Sequence, residues 1–280
     1  MKDKIRKLAI KGIDLNVLKI IAIVAMIIDH VGYYFQSFLP HPLYTIFRIT
    51  GRIAMPIFVY SVVQGFFHTK NFKEYLKRIS ILAIVTQLSI SMLGILNIYF
   101  VKDYIVTAYK HGNILFSFSL GLILLYFIHN KIVIKKWDFN KNMILKIFYV
   151  VLLIAIYIFI PIDYEFQVVL LMVMLYFIEK LRITTYLSRQ GANFNMKKVI
   201  ATTIKDEKIK LINNVMITLS FLLIIIYMNA NIYMLLALPF IWLYNGEKND
   251  SRYINSNIFY YVFPIHHILF YTVALVLTVF

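Results

Sequence analysis

The 280-residue chain contains no cysteine, which excludes disulfide cross-links, thiolate catalysis and zinc sites built on thiolates. Acid is scarce: 13 Asp and Glu stand against 29 Lys and Arg, a formal net charge of +16. No internal repeat of fixed period and no low-complexity linker breaks the chain, so nothing in it marks a repeat array or a second domain. What is abundant is apolar residue. The hydrophobic fraction is 61% and the mean hydropathy +0.76, against roughly 45–50% apolar content in soluble domains. These residues fall in blocks of about 17 to 25, the length that crosses a hydrocarbon layer about 30 Å thick as helix. A soluble core of this size cannot hide them, and the expected fold is an all-α, polytopic membrane helical bundle forming a single domain over 1–280.

Apolar runs between charged punctuation predict nine spans, with eight to ten allowed. They lie at about Val17 to Leu39, Leu43 to Phe67, Ile79 to Phe100, Ile114 to Ile128, Met143 to Ile160, Phe166 to Ile178, Leu211 to Met228, Ile232 to Tyr244 and Ile258 to Phe280. The sixth and eighth are short enough to be tilted, broken or re-entrant. The first is too long for a signal peptide, lacks a small-residue cleavage site and carries Asp29 and His30. Lys and Arg near span ends are retained on the cytoplasmic side. With the N-terminus inside, inner segments hold 25 of the 29 basic residues, including the basic segment 1–16 and the polar stretch 179–210, expected as a cytoplasmic loop or surface helix. Outer loops keep only Lys102 and Lys110, while Arg48 and Arg52 fall within the second span. The positive charge therefore orients the chain against an anionic leaflet and requires no nucleic-acid partner.

Ionisable residues inside apolar spans are costly, on the order of 3 kcal/mol at a helix centre, and point to function. At about 1.5 Å rise per residue, Asp29 and His30 lie roughly 15–20 Å from the inner boundary. Arg52 lies roughly 14 Å below the outer one, and His266 and His267 about 14 Å from the inner one. Gln87 reaches a depth slightly nearer the cytoplasm. An acid, an arginine, a glutamine and up to three histidines thus converge near the midplane. Asp29 and Arg52 are the expected ion pair, leaving His30 free to meet substrate. Arg48, four residues before Arg52, is expected on the same helix face. A buried Asp–Arg pair can also serve only to hold helices together, whereas a midplane histidine can exchange a proton at the pH of the cell. His41, His111 and His129 fall in loops or span ends, where solvated roles are expected. Two chemistries use such a cluster: group transfer within the bilayer, with His as base and Arg stabilising negative charge, or proton-coupled transport of a small solute. A non-catalytic scaffold is a third reading. Metal binding is not expected, because no close His/Glu spacing supplies three ligands.

Several segments carry a family likeness. The first span, with Asp29-His30-Val31-Gly32, is followed by Gly51-Arg52-Ile53-Ala54-Met55-Pro56-Ile57-Phe58 and Gln64-Gly65-Phe66-Phe67-His68-Thr69. Tyr75 and Arg78, Asn113-Ile114-Leu115-Phe116 with Gly121, and Phe259-Tyr260-Tyr261-Val262-Phe263-Pro264-Ile265-His266 continue the pattern. Together they resemble the TraX family, named for a conjugative-pilus protein that acetylates the pilin N-terminus. That family is similar in turn to transmembrane acyltransferases such as the acyltransferase-3 group and heparan glucosaminide N-acetyltransferase. In the acyltransferase-3 group ten residues separate a basic residue from the active-site His on the first span, as they separate Lys19 from His30 here.

The resemblance implies a multi-pass enzyme of the cell membrane that takes an acyl group, acetyl above all, from cytoplasmic acetyl-CoA. The acceptor is an amine or hydroxyl of an exported peptide or envelope glycan. It implies His30, Asp29 and Arg52 as catalytic residues. Lys19, Arg48, Gln64, His68, Arg78, Gln87, Asn113, His266 and His267 are the implied binding residues, with Lys19, His68, Lys77 and Arg78 at the inner mouth to meet the nucleotide. No metal is expected; the expected partners are membrane lipid, acyl-CoA and the acceptor, with homodimerisation open.

Overall fold

The computed structural model describes residues 12–100, 111–129, 139–190, 196–247 and 258–279. The basic segment 1–11 and the orientation-bearing Lys102, Lys110, Lys248 and Arg252 lie outside the described residues. The described residues form helices α1 (Leu15–Tyr34), α2 (His41–Gly51), α3 (Ala54–His68), α4 (Phe72–Phe100), α5 (Ile114–His129) and α6 (Phe139–Phe159). They continue with α7 (Glu165–Gln190), α8 (Met196–Lys205), α9 (Glu207–Met228), a 3-10 turn (Ile232–Ala237), α10 (Leu238–Trp242) and α11 (Ile258–Val279). The all-α expectation holds, with only isolated bridges, Ile13 with Tyr244 and Gly112 with Ile162, among the described residues.

Among the described residues, four stretches are long and apolar enough to cross a membrane: Leu15–Tyr34, His41–His68, Phe72–Ile95 and Glu207–Met228. Shorter apolar helices run over Ile114–His129, Met143–Phe159, Ile232–Trp242 and Tyr261–Leu277. Their outward faces are apolar: Leu88 and Met92 on α4, Ile158 and Phe159 on α6, and Ile226 and Tyr227 on α9 are all more than 60% exposed. Such a continuous exposed apolar surface belongs in lipid, not water.

Local chemistry sets the boundaries. Asp14 caps α1, accepting from the amides of Asn16 at 2.9 Å and Val17 at 3.0 Å. Asp206 does the same for α9 through Lys208 and Ile209. The expected second span is not one helix. It breaks between Gly51 and Ala54, where Arg52 and Ile53 donate to carbonyls only three residues back. Pro56 explains the break, since its ring clashes with the carbonyl four residues earlier, that of Arg52, and it offers no amide to it. The eighth span is likewise broken, into the 3-10 turn and α10. The polar stretch after Glu179 is largely helical: α7 continues to Gln190, and α8 and the start of α9 cover most of the rest.

Helix α3 is the central element. All its residues except Gly65 and Phe67 are buried, and it packs on α1, α7, α5 and the 3-10 turn. Helix α1 packs on α2, α3 and α11, which brings the two histidine-bearing helices together. At the α1–α2 crossing a Cβ on Gly51 would stand 2.2 Å from the Asp29 side chain, so only glycine permits this approach.

Candidate functional site

A cavity of about 410 Å³ opens between α1, the α2–α3 break, α4 and α11. Its wall carries Asp29, His30, Tyr33 and Tyr34 from α1, Arg48, Gly51 and Arg52 from the break, and His267 from α11. The loops before α5 and α7 close it with His111, Asn113, Asp163 and Tyr164. Apolar Met26, Met55, Phe58, Ile90 and Phe263 complete the lining. The two loops are clamped to each other. The Gly112 amide donates to the Pro161 carbonyl and the Asp163 amide to the Gly112 carbonyl, each at 2.8 Å. Tyr164 and Glu165 beside them hold φ of 60° and 45°, a left-handed conformation that non-glycine residues adopt only where surroundings impose it.

Asp29 pairs with Arg48, Nη1 to Oδ1 at 2.9 Å, and not with Arg52 as the depth argument predicted. Arg48 Nη1 also donates to the Asp29 carbonyl at 3.3 Å. The helix break is the reason: Arg48 stays on α2, which crosses α1 at Gly51, while Arg52 lies past the helix end. Arg52 still lines the cavity, and among the described residues it makes no ion pair.

The three midplane histidines do converge. His266 Nδ1 lies 2.7 Å from the Val262 carbonyl, and its Nε2 lies 2.9 Å from His30 Nδ1. A carbonyl only accepts, so His266 carries its proton on Nδ1 and presents a lone pair at Nε2. His30 therefore donates from Nδ1 and keeps its own lone pair on Nε2. His267 Nδ1 meets the Tyr34 hydroxyl at 2.8 Å. His266 does not line the cavity; it stands behind His30 and orients it.

Gln87 and Asn113 form a strap beside the cavity. Gln87 Nε2 donates to the His111 carbonyl at 3.1 Å, and its Oε1 accepts from the Asn113 amide at 2.9 Å and from Asn113 Nδ2 at 3.1 Å. Asn113 Nδ2 also reaches the Ala83 carbonyl at 2.9 Å. Gln87 itself is not in the cavity wall.

Lys19, Gln64, His68 and Arg78 do not reach the cavity. His68 is buried and its Nε2 meets the Tyr244 hydroxyl at 3.0 Å, so it does not stand at an open mouth. Gln64 is fully buried, and neither of its amide atoms has a hydrogen-bond partner among the described residues. Arg78 is exposed on α4. Sequence reasoning missed the pair Glu179–Arg182, both buried and joined on α7, although acid and base three apart on a helix are legible as neighbours. It also missed Tyr34 and the cavity-lining His111, for which spacing holds no signal.

Apolar helices exposed to the surroundings, packed around a cavity lined by His, Arg and Asp, define a polytopic membrane protein with a polar cavity among its helices. Residues 14–274 match the model of the family described as TraX protein, and the chain belongs to that family. It is 33% identical over 113 residues to a probable fimbrial assembly protein FimC, serogroup H1, of Dichelobacter nodosus, covering 39% of this chain and 43% of that protein. It is 36% identical over 118 residues to the uncharacterized protein RP591 of Rickettsia prowazekii (strain Madrid E), covering 42% of this chain and 38% of that protein. The chain thus spans less than half the length of the curated relatives it matches. No solved structure matches it.

Proposed function

We propose that this protein is a cell-membrane acyltransferase, moving an acetyl group from cytoplasmic acetyl-CoA to an amine or hydroxyl of an exported acceptor. It acts with its N-terminus inside, and its wider kin are the acyltransferase-3 and heparan glucosaminide N-acetyltransferase enzymes. The observation that carries the reading is the His266–His30 hydrogen bond, because it leaves the His30 Nε2 lone pair on a residue of the cavity wall. That is the tautomer a general base requires. Membership of the TraX family and the fimbrial-assembly name of one relative favour a peptide N-terminus as acceptor, with an envelope glycan the alternative.

In the reaction, the acceptor nitrogen or oxygen attacks the thioester carbonyl carbon while its proton passes to His30 Nε2. The carbonyl oxygen becomes an oxyanion, and Arg52, which makes no ion pair among the described residues, lies in the wall to stabilise it. The intermediate collapses by breaking the carbon–sulfur bond, and the His30 proton goes to the leaving thiolate. The products are the acetylated acceptor and the free CoA thiol. Asp29 neutralises Arg48 and keeps the α1–α2 crossing in place.

The test is thiol release from acetyl-CoA by purified protein in detergent, with a synthetic peptide bearing a free N-terminal amine or with a hexosamine. The chain has no thiol of its own, so a thiol reagent reads the product directly. His30→Ala is expected to lower the rate by about 10²–10⁴-fold, the usual contribution of a positioned base. Absence of thiol release from the parent protein with either acceptor, or a His30→Ala rate equal to the parent's, overturns the reading. Solute-driven proton flux in liposomes without thioester consumption would instead establish a transporter.

A further inference from the structure

The three imidazoles supply a donor set that chain spacing conceals. One ring nitrogen from each of His30, His266 and His267 lies within 4.8 Å of the other two. The ring centroids are 4.1 to 4.8 Å apart, and the closest nitrogens, His30 Nδ1 and His266 Nε2, are 2.9 Å apart. Nitrogens bound tetrahedrally at 2.0–2.1 Å from one zinc ion stand about 3.3 Å from each other, a separation that lies inside this range.

The outer partners also match. A metal-binding imidazole usually engages its second nitrogen with a carbonyl or another polar group, which fixes the ring and directs the other lone pair to the metal. His266 does so through Nδ1 on the Val262 carbonyl, and His267 through Nδ1 on the Tyr34 hydroxyl. The carbonyl leaves the His266 Nε2 lone pair available, and His267 offers its own Nε2 when Nδ1 donates to the Tyr34 hydroxyl. Neutral imidazoles favour zinc and its transition-metal neighbours over magnesium or calcium, which take oxygen ligands. Asp29 is committed to Arg48 and does not join the set. His30 and His267 also line the cavity, so the donor set adjoins its wall.

We propose that His30, His266 and His267 bind one zinc-class divalent cation at the cavity wall, and that its occupancy silences His30 as a base. Metal bound at His30 Nδ1 displaces the proton that the free ring carries there to Nε2, where it occupies the lone pair that would have deprotonated the acceptor. Metal binding stands on the geometry alone; only the inhibition rests on the acyl-transfer reading.

The experiment adds zinc or cobalt(II) to full-length protein in detergent, carrying no polyhistidine tag, and measures bound metal after gel filtration. The expected result is one ion per chain and visible cobalt absorption of the intensity that four-coordinate nitrogen–oxygen ligation produces. His266→Ala and His267→Gln, checked for monodispersity and thermal stability, lose stoichiometric binding. Tyr34→Phe weakens it about 10–100-fold, the usual effect of removing an outer partner. No bound ion in the parent, or binding that survives both histidine substitutions, overturns the site. Thiol release by metal-loaded protein at the metal-free rate overturns the inhibition. The acyl-transfer reading is judged separately, on metal-free protein.

Discussion

Gly51→Ala tests the helix crossing on which the cavity depends. The added methyl would stand 2.2 Å from Asp29 Cβ and Oδ1 and 2.3 Å from Cγ, where ordinary contact begins at 3.4 Å. The clash involves a Cβ fixed to the α1 backbone, so rotating the Asp29 carboxylate does not remove it; α1 and α2 must separate. Overpacking of this kind costs typically about 1–3 kcal/mol. Alanine's better helix propensity offsets about 1 kcal/mol of that, leaving a net loss of up to about 2 kcal/mol. By the scaling for large domains, Tm falls by up to roughly 8 °C. Thermal unfolding of purified protein in detergent reads the shift. Asp29→Gly removes every atom the methyl meets, so in that background Gly51→Ala is neutral or stabilising, and the double-mutant cycle isolates the contact. If Gly51→Ala melts at or above the parent, and its effect is the same with Asp29→Gly, the close crossing is refuted.

Three further outcomes follow from the same contacts. Gln87→Leu strips the hydrogen bonds that strap Asn113 and His111; it should destabilise by about 2–4 kcal/mol, with Gln87→Asn giving no rescue because its shorter arm does not span the gap. Arg182→Met leaves Glu179 buried without its cation and should cost about 3–5 kcal/mol, whereas Glu179→Met with Arg182→Met should be near neutral, both read by thermal unfolding. Orientation is checked with single cysteines in this cysteine-free chain: Asp103→Cys should react with an impermeant maleimide on intact cells and Phe139→Cys should not, and the reverse pattern overturns the N-inside topology.

Much of the site was legible because burial of charge in lipid is expensive enough to act as a marker. Asp29, His30, Arg52 and His267 were picked out on that ground and share one cavity wall. The partnership of Asp29 was not legible. Helical periodicity carried through residue 52 makes Arg48 and Arg52 equivalent, and only the break imposed by Pro56 separates the arginine that stays on α2 from the one beyond its end. The role of Gln87 was equally hidden, since its partners His111 and Asn113 come from the start of another helix. The sequence places Glu179 and Arg182 in a polar loop or surface helix, because composition alone does not reveal that α7 continues through them and buries both.

By itself the sequence determined the solvent, the helical class and the few positions where polarity violates it, because hydropathy and its period are local properties of the chain. It also carried the motifs that belong to the TraX family. The tertiary structure decided which arginine meets Asp29, which nitrogen of His30 meets His266, and that His30, His266 and His267 stand together. Those are matters of proximity between helices, with His30 and His266 more than two hundred residues apart in the chain, set by how α1 crosses α2 and α11. No spacing along the chain encodes such a distance; only the packing of the helices does.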